Sequence, residues 1–401
     1  MTFDLRSVRA DFPALTSGIA FFDSPGGTQT PRPVIEAIAR ALQQPLSNRG
    51  RLTAAQRNAE DIVLQARSAM ADLLGADPRG VVFGRSATAL TIEMSRTLAK
   101  TNGWGPGDEI VVSRLDHDAN IRPWLIVAEA VGAEARVVDF DPTTGELDPA
   151  AIAAVLSERT RLVAVTAASN LIGTMPDVAA IADQVHRAGA LLYVDGVHYT
   201  AHAQVNLTTL SADFFVCSPY KFLGPHLGVL AADPALLETL RPNKLAPSTD
   251  AVPERFELGT LPYEMLAGVT AAVDYWASLG GDHGIRRDRL AAARGAVHEH
   301  ETTLTARLEQ GLDACDGVVR YSRAAHRTST LLFDVAGLPA AAVAEQLARR
   351  DLSAPAGHFY ALEASRHLGL GEAGAIRVGL ALYNDEHDVD RLLDGIRALS
   401  R

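Results

Sequence analysis

Short apolar runs rich in β-branched residues recur along the first two-thirds of the chain. They are "VVFG" (Val81–Gly84), "EIVVS" (Glu109–Ser113), "ARVVDF" (Ala135–Phe140), "RLVAVTA" (Arg161–Ala167), "ALLYVD" (Ala190–Asp195), "DFFVCS" (Asp213–Ser218) and "LGVLAA" (Leu227–Ala232). None alternates apolar with polar in the way of a half-exposed sheet, so the pattern predicts strands buried on both faces, as in a mostly parallel sheet covered by helices. Helical periodicity fills the gaps at Thr53–Leu74, Thr88–Lys100 and Asp177–Ala188. The alternation is that of βαβ units in an α/β domain. From about Pro262 the texture changes. Two long helical stretches, Tyr263–Leu279 and Arg286–Leu312, precede the strand "STLLFDV" (Ser329–Val335), a helix at Ala340–Arg350, the strand "AIRVGLALY" (Ala375–Tyr383) and a last helix from Glu386 to Leu399. Fewer crossovers there predict a smaller α+β domain.

At 401 residues the chain exceeds the usual size of one hydrophobic core, which agrees with two domains. Its net charge of -11 repels a phosphate backbone, so nucleic acid is not an expected partner. The two cysteines, Cys217 and Cys315, are far apart and form neither a CxxC pair nor a disulfide framework; a reducing compartment suits them, and no metal cluster is expected. The start, "MTFDLRSVRADFPAL", has charges scattered through it and lacks the apolar core of a signal peptide. No apolar run is long enough to span a bilayer. The expected address is the cytoplasm, with no membrane partner.

In an open α/β sheet, ligands bind at the carboxyl ends of the strands. After "VVFG" come Ser86, Ala87 and Thr88, opening a helix whose free N–H groups suit an anion. After "EIVVS" come His117 and Asn120; after "RLVAVTA", Asn170; at the end of "ALLYVD", Asp195, with His198 just beyond; after "DFFVCS", Lys221. Singly each has a plain reading: an N-cap, a loop histidine, a turn former, a helix cap, a core histidine, a solvated turn lysine. Together they set an anion nest, an aromatic ring, a carboxylate and an amine on one rim. Pyridoxal phosphate needs those four: a helix N-terminus for its phosphate, a lysine for its aldehyde, a carboxylate for its pyridine nitrogen and an aromatic partner for its face.

Several stretches carry a wider resemblance in chain order: "FFDSPGGTQTPRPVIEAI", "SNRG" (Ser47–Gly50), "GRSATAL", "HDAN", "SNLIGT", "VDGVH", "CSPYKFLGP", "RFELGT" and "IRVGLALYN". The sequence resembles the class V aminotransferase family of fold-type-I pyridoxal-phosphate enzymes, and within it the cysteine desulfurase-like branch. The resemblance implies an N-terminal arm (residues 1–25), a large cofactor-binding α/β domain with a mostly parallel seven-stranded sheet (26–260) and a small α+β domain (261–401). It implies that Lys221 is the Schiff-base lysine and the acid/base at the α-carbon, that Asp195 partners the pyridine nitrogen, and that His117 stacks on the ring. It places Ala87, Thr88 and Ser218 in the phosphate cup, with Tyr220 adding a hydroxyl to phosphate or substrate. His198 stands where desulfurases have glutamine and would contact the cofactor's phenolic oxygen. Asn170 and Arg377 would hold the substrate carboxylate, for which a forked guanidinium is suited. Gly259 and Thr260 would reach the phosphate of a neighbouring subunit, which implies a homodimer with shared active sites, and "SNRG" resembles an active-site loop.

The resemblance breaks at one loop. Desulfurases place a nucleophilic cysteine before the last strand; "SAPAGHFYALE" (Ser353–Glu363) has none, and Tyr360 takes that position. Without a persulfide carrier the expectation is β-elimination from a β-substituted amino acid, including C–S lysis, with His358 or Tyr360 as the second acid/base. Transamination, α-epimerisation and bond formation at the α-carbon use the same groups. A nucleotide-binding domain lacks any G-x-G-x-x-G or Walker motif. A cofactor-binding regulator would not need Lys221, Asp195 and Arg377 together.

Overall fold

The computed structural model describes residues 4–400; residues 1–3 of the expected arm lie outside the described residues. Seven strands form the central sheet in the spatial order Val81–Gly84, Gly228–Ala232, Phe214–Cys217, Leu191–Asp195, Thr160–Thr166, Glu109–Ser113, Glu134–Val138. Gly228–Ala232 runs antiparallel to both neighbours, and the other adjacent pairs are parallel. One apolar cluster lies on each face of the sheet, the smaller one built around Trp124 and Tyr193. The strands Val81–Gly84, Glu109–Ser113 and Phe214–Cys217 match the apolar runs to within a residue at each end.

One strand departs from the expectation of burial on both faces. In Glu134–Val138, residues Glu134, Ala135 and Val137 are exposed. It is the sheet's edge and pairs only with Glu109–Ser113. Its Arg136 turns to Glu109 at 2.9 Å, a charge placed where an open edge would otherwise invite pairing.

The helices start where local chemistry starts them. Thr53 caps Ala54–Leu74: its hydroxyl accepts from Gln56 N at 3.2 Å while Gln56 Oε1 accepts from Thr53 N at 3.0 Å. Ser86 caps Ala87–Asn102, its hydroxyl accepting from Ala89 N at 3.1 Å. The helix Arg286–Asp313 joins the two halves of the molecule, with Leu290 and Val297 in the large core and Leu304, Leu308 and Leu312 in the small one. No helix among the described residues is long and apolar enough to cross a membrane.

The second sheet has the order Ala356–Gly357, Ala375–Gly379, Thr330–Val335, Val318–Arg320, all antiparallel. The last strand is shorter than its apolar run suggests: it stops at Gly379, whose N–H donates to Phe22 O at 2.7 Å. A Cβ there would lie 2.4 Å from Pro25 Cδ, so the glycine lets the N-terminal segment cross the strand end. Ala20–Phe21 pairs in parallel with Leu352–Ser353, and Ala20 and Phe22 sit in the small-sheet core. The turn Asp23–Gly26 is thereby brought between the two sheets.

Candidate active site

The carboxyl ends of the parallel strands converge on one cavity. Its lining includes Ala87, Thr88, His117, Asn170, Asp195, His198, Ser218, Tyr220 and Lys221, all singled out in the sequence. Gly228 explains how the helix starting at Ala87 comes so close: a Cβ on it would lie 2.2 Å from the carbonyl carbon of Ser86. That helix's first-turn N–H groups have no helical carbonyl to meet and open toward the cavity end. A second, wider cleft continues outward past Lys221, His117 and Asn170 to Asp23, Arg122, Ile126, Phe359, Tyr360 and Arg377.

Lys221 follows the strand Phe214–Cys217 in a short 3-10 turn and is buried. Its Nζ donates to the carbonyls of Pro25 and, at 3.1 Å, Gly26. Burial, and then the charge of Arg377, pull its pKa down to about 7; Asp23 and Asp195 oppose the shift. Asp195 ends its strand with Oδ1 accepting from Val197 N at 2.9 Å, and burial raises its pKa to about 6. His117 Nδ1 accepts from Ala119 N at 3.0 Å; burial, then the charges of Lys221 and Arg377, lower its pKa to about 4, so its ring is neutral. His198 is held from the second sheet and the segment leading into it, its Nε2 within 3.0 Å of Thr328 Oγ1 and 2.9 Å of Thr330 Oγ1. Burial foremost keeps it well below the usual histidine value.

Two polar atoms of the lining, Asn170 Oδ1 and His198 Nδ1, are buried without a hydrogen-bond partner. Such orphans call for a polar occupant. An anion nest, a buried carboxylate, a neutral ring and a deprotonatable amine on one wall form the donor set of pyridoxal phosphate.

Two placements differ from expectation, those of His358 and of the "SNRG" loop. His358 does not line the cleft, because its Nδ1 turns back to accept from Tyr360 N at 3.2 Å. Thr260 is exposed and stands away from the cup of its own chain, lining a separate groove with Arg85 and His226. The "SNRG" loop is also off the cavity: Arg49 is held by Glu60 at 2.9 Å and Glu254 at 3.1 Å.

Other site residues escaped the sequence reading. Asp23 binds Arg377 Nη2 with Oδ1 at 2.5 Å; its signal was an acid ahead of the turn-forming Ser-Pro-Gly-Gly. Phe359 lies 3.6 Å under the Arg377 guanidinium, and its carbonyl accepts from Asn170 Nδ2 at 2.9 Å. Asp116, fully buried behind His117, accepts from Ser113 Oγ at 2.5 Å and Asn120 Nδ2 at 2.7 Å, and burial raises its pKa to about 8. It braces the turn that carries His117.

No thiol reaches the cleft. Cys217 is buried in its strand with its pKa raised by burial, and Cys315 is buried in the apolar cluster beside the second sheet with Sγ donating to Gly311 O at 3.2 Å. Tyr360, expected at the position of the desulfurase nucleophile, stacks its ring on that of His117 at 5.5 Å and 26°.

The aminotransferase class-V family pattern matches residues 20–392. The chain belongs to that family. It is 30% identical to a cysteine desulfurase of Pectobacterium atrosepticum over 100% of this chain and 99% of the relative. It is 31% identical to an aminotransferase-like protein of Gibberella zeae, over 98% and 97%. Among solved structures, the cysteine desulfurase CsdA of Escherichia coli superposes with a TM-score of 0.88 at 28% identity, over 100% of this chain and 99% of that one. The fold is therefore that of the fold-type-I enzymes, and the class V member described here is an enzyme dependent on pyridoxal phosphate.

Proposed function

We propose that this class V enzyme is a lyase that eliminates the β-substituent of an α-amino acid, with C–S bonds among those it cleaves. The observation that carries the reading is the cleft itself: Lys221, Asp195 and Arg377 line the joined cavity and cleft, Tyr360 stands at its mouth, and both cysteines are buried outside the lining. Pyridoxal phosphate, when bound, supplies an electron sink conjugated to the substrate's α-carbon. Ala87, Thr88 and Ser218 would hold its phosphate, Asp195 its ring nitrogen, His117 its face and His198 its phenolic oxygen through Nδ1. Arg377 and Asn170 fix the substrate carboxylate.

Lys221 takes the α-proton. Burial, and then the charge of Arg377, favour the free amine that a general base needs. The β C–X bond then breaks with its electron pair leaving on X, and the Tyr360 hydroxyl at the mouth of the cleft gives X its proton. One water is consumed in releasing ammonia and a 2-oxo acid, and no net oxidation occurs.

The test is product analysis on cysteine, cystine and S-substituted cysteines, with and without a 2-oxo acid acceptor. Catalytic formation of pyruvate and ammonia without acceptor is the expected result. Turnover that stops after one equivalent per site, and resumes only with a 2-oxo acid, would reject elimination and establish transamination.

A further inference from the structure

We infer that Asp23 is a substrate-recognition residue, which occupies Arg377 in the resting enzyme and passes to the ammonium group of an incoming zwitterionic amino acid when the substrate carboxylate takes its place. The inference rests on the reading of Arg377 as the carboxylate-binding group.

Arg377 is 2% exposed and boxed in on three sides. Its Nη1 donates to Asn170 O at 3.1 Å, its face lies on the Phe359 ring at 3.6 Å, and its Nη2 meets Asp23 Oδ1 at 2.5 Å. The first two partners are fixed by the backbone and by packing. Asp23 is the partner that can yield: its side chain is 38% exposed and lines the cleft. A substrate carboxylate reaching Arg377 must therefore displace the Asp23 carboxylate.

The same turn holds the other end of the site. Asp23 O accepts from Gly26 N at 2.9 Å and Gly27 N at 3.0 Å. A Cβ on Gly26 would lie 2.2 Å from Asp23 Oδ2, so the carboxylate rests over a bare Cα. The carbonyls of Pro25 and Gly26 accept from the Lys221 amine. Asp23 thus sits between the guanidinium that would bind a carboxylate and the amine that a substrate amine must replace. A zwitterion exchanges one ion pair for two and leaves no charge unpaired. A plain carboxylic acid displaces Asp23 and returns nothing, and is discriminated against.

The experiment compares two ligands of one shape on the holoenzyme by calorimetry: N,N-dimethylglycine, whose tertiary ammonium carries an N–H but cannot condense with an aldehyde, and 3-methylbutyrate, which lacks the charge. The wild type should prefer N,N-dimethylglycine. In Asp23→Asn, 3-methylbutyrate should bind about tenfold tighter and the preference should vanish, the scale of one charge-assisted hydrogen bond. Asp23→Ser gives the same comparison if the amide variant folds poorly. A preference that survives in both variants would overturn the inference while leaving the Arg377 reading intact. Arg377→Lys should weaken both ligands alike; if neither ligand responds to that change, the carboxylate-site reading fails as well.

Discussion

At Lys221 burial and the charge of Arg377 together outweigh the opposing charges of Asp23 and Asp195. The side chain is out of water and faces Arg377, so the fold favours the neutral amine and lowers the pKa from 10.5 to about 7. In the cofactor-free protein the unfolded chain then binds a proton that the native state refuses. Stability attributable to this residue is lost as pH falls from 10.5 toward 7, and is constant below 7. Lys221→Met removes the term. In denaturant unfolding of the cofactor-free forms, the variant's advantage should grow between pH 10 and pH 7 by at most about 1.4 kcal/mol per pH unit. A gap independent of pH would mean that the amine stays charged in the fold. In the holoenzyme, borohydride should fix the cofactor to Lys221, and a labelled peptide elsewhere would refute its assignment. The lysine was legible because it ends a buried strand inside a stretch of distinctive order. Asp23 and Phe359 were not, because what they do depends on Arg377: one contact joins residues more than three hundred positions apart, and the other stacks a loop ring on a guanidinium carried by a strand.

The loop that crosses the cleft stores conformational cost. Phe359 and Tyr360 are consecutive non-glycine residues at φ 51° and 60°. Each left-handed residue costs on the order of 1–2 kcal/mol. Ties from outside the loop offset that cost: Asn170 Nδ2 donates to Phe359 O at 2.9 Å, Asp118 N donates to Tyr360 O at 2.7 Å, and two ring contacts reach His117 and Arg377. Asn170→Ala cuts one tie. The Tyr360 and Ala361 amides should then exchange with solvent roughly fivefold faster or more, the worth of one hydrogen bond, while amides of the central strands stay unchanged. Exchange equal to the wild type would show that the loop is held without Asn170. The sequence could not announce this geometry, since neither Phe359 nor Tyr360 is a residue type that favours the left-handed region. For the same reason His358 was expected in the cleft, although the backbone turns it onto Tyr360 N. The long apolar strands were legible because burial on both faces leaves a continuous apolar run. The two-residue strands Ala20–Phe21, Leu352–Ser353 and Ala356–Gly357 leave no such trace.

At the scale of the whole molecule, the question is what one chain brings to the phosphate. Apart from Lys221, the cavity lining has hydroxyls, histidines and helix N–H groups but no lysine or arginine. The loop ending in Thr260 is exposed and anchored at its base. Glu257 fixes its root, pairing with Arg67 at 2.8 Å and accepting from Phe83 N at 2.9 Å, and Gly259 turns it at φ 86°. Beside it Leu258 is 57% exposed, and Leu52 and Leu245 are also bare. We propose that these surfaces meet in a two-fold dimer in which Thr260 of one subunit completes the cup of the other. The decisive measurement is complementation. Lys221→Ala should be inactive, and Thr260→Glu should be nearly so, because its carboxylate would repel the phosphate dianion. In a mixed dimer one site takes Lys221 from the Thr260 variant and Thr260 from the Lys221 variant, so that site is whole. After subunit exchange, the mixture should regain about a quarter of wild-type activity, the share of intact sites expected for random two-fold pairing. Each pure variant should stay silent. If mixing restores nothing although exchange is complete, or if light scattering finds an active monomer, each chain builds its cup alone and Thr260 belongs to the surface.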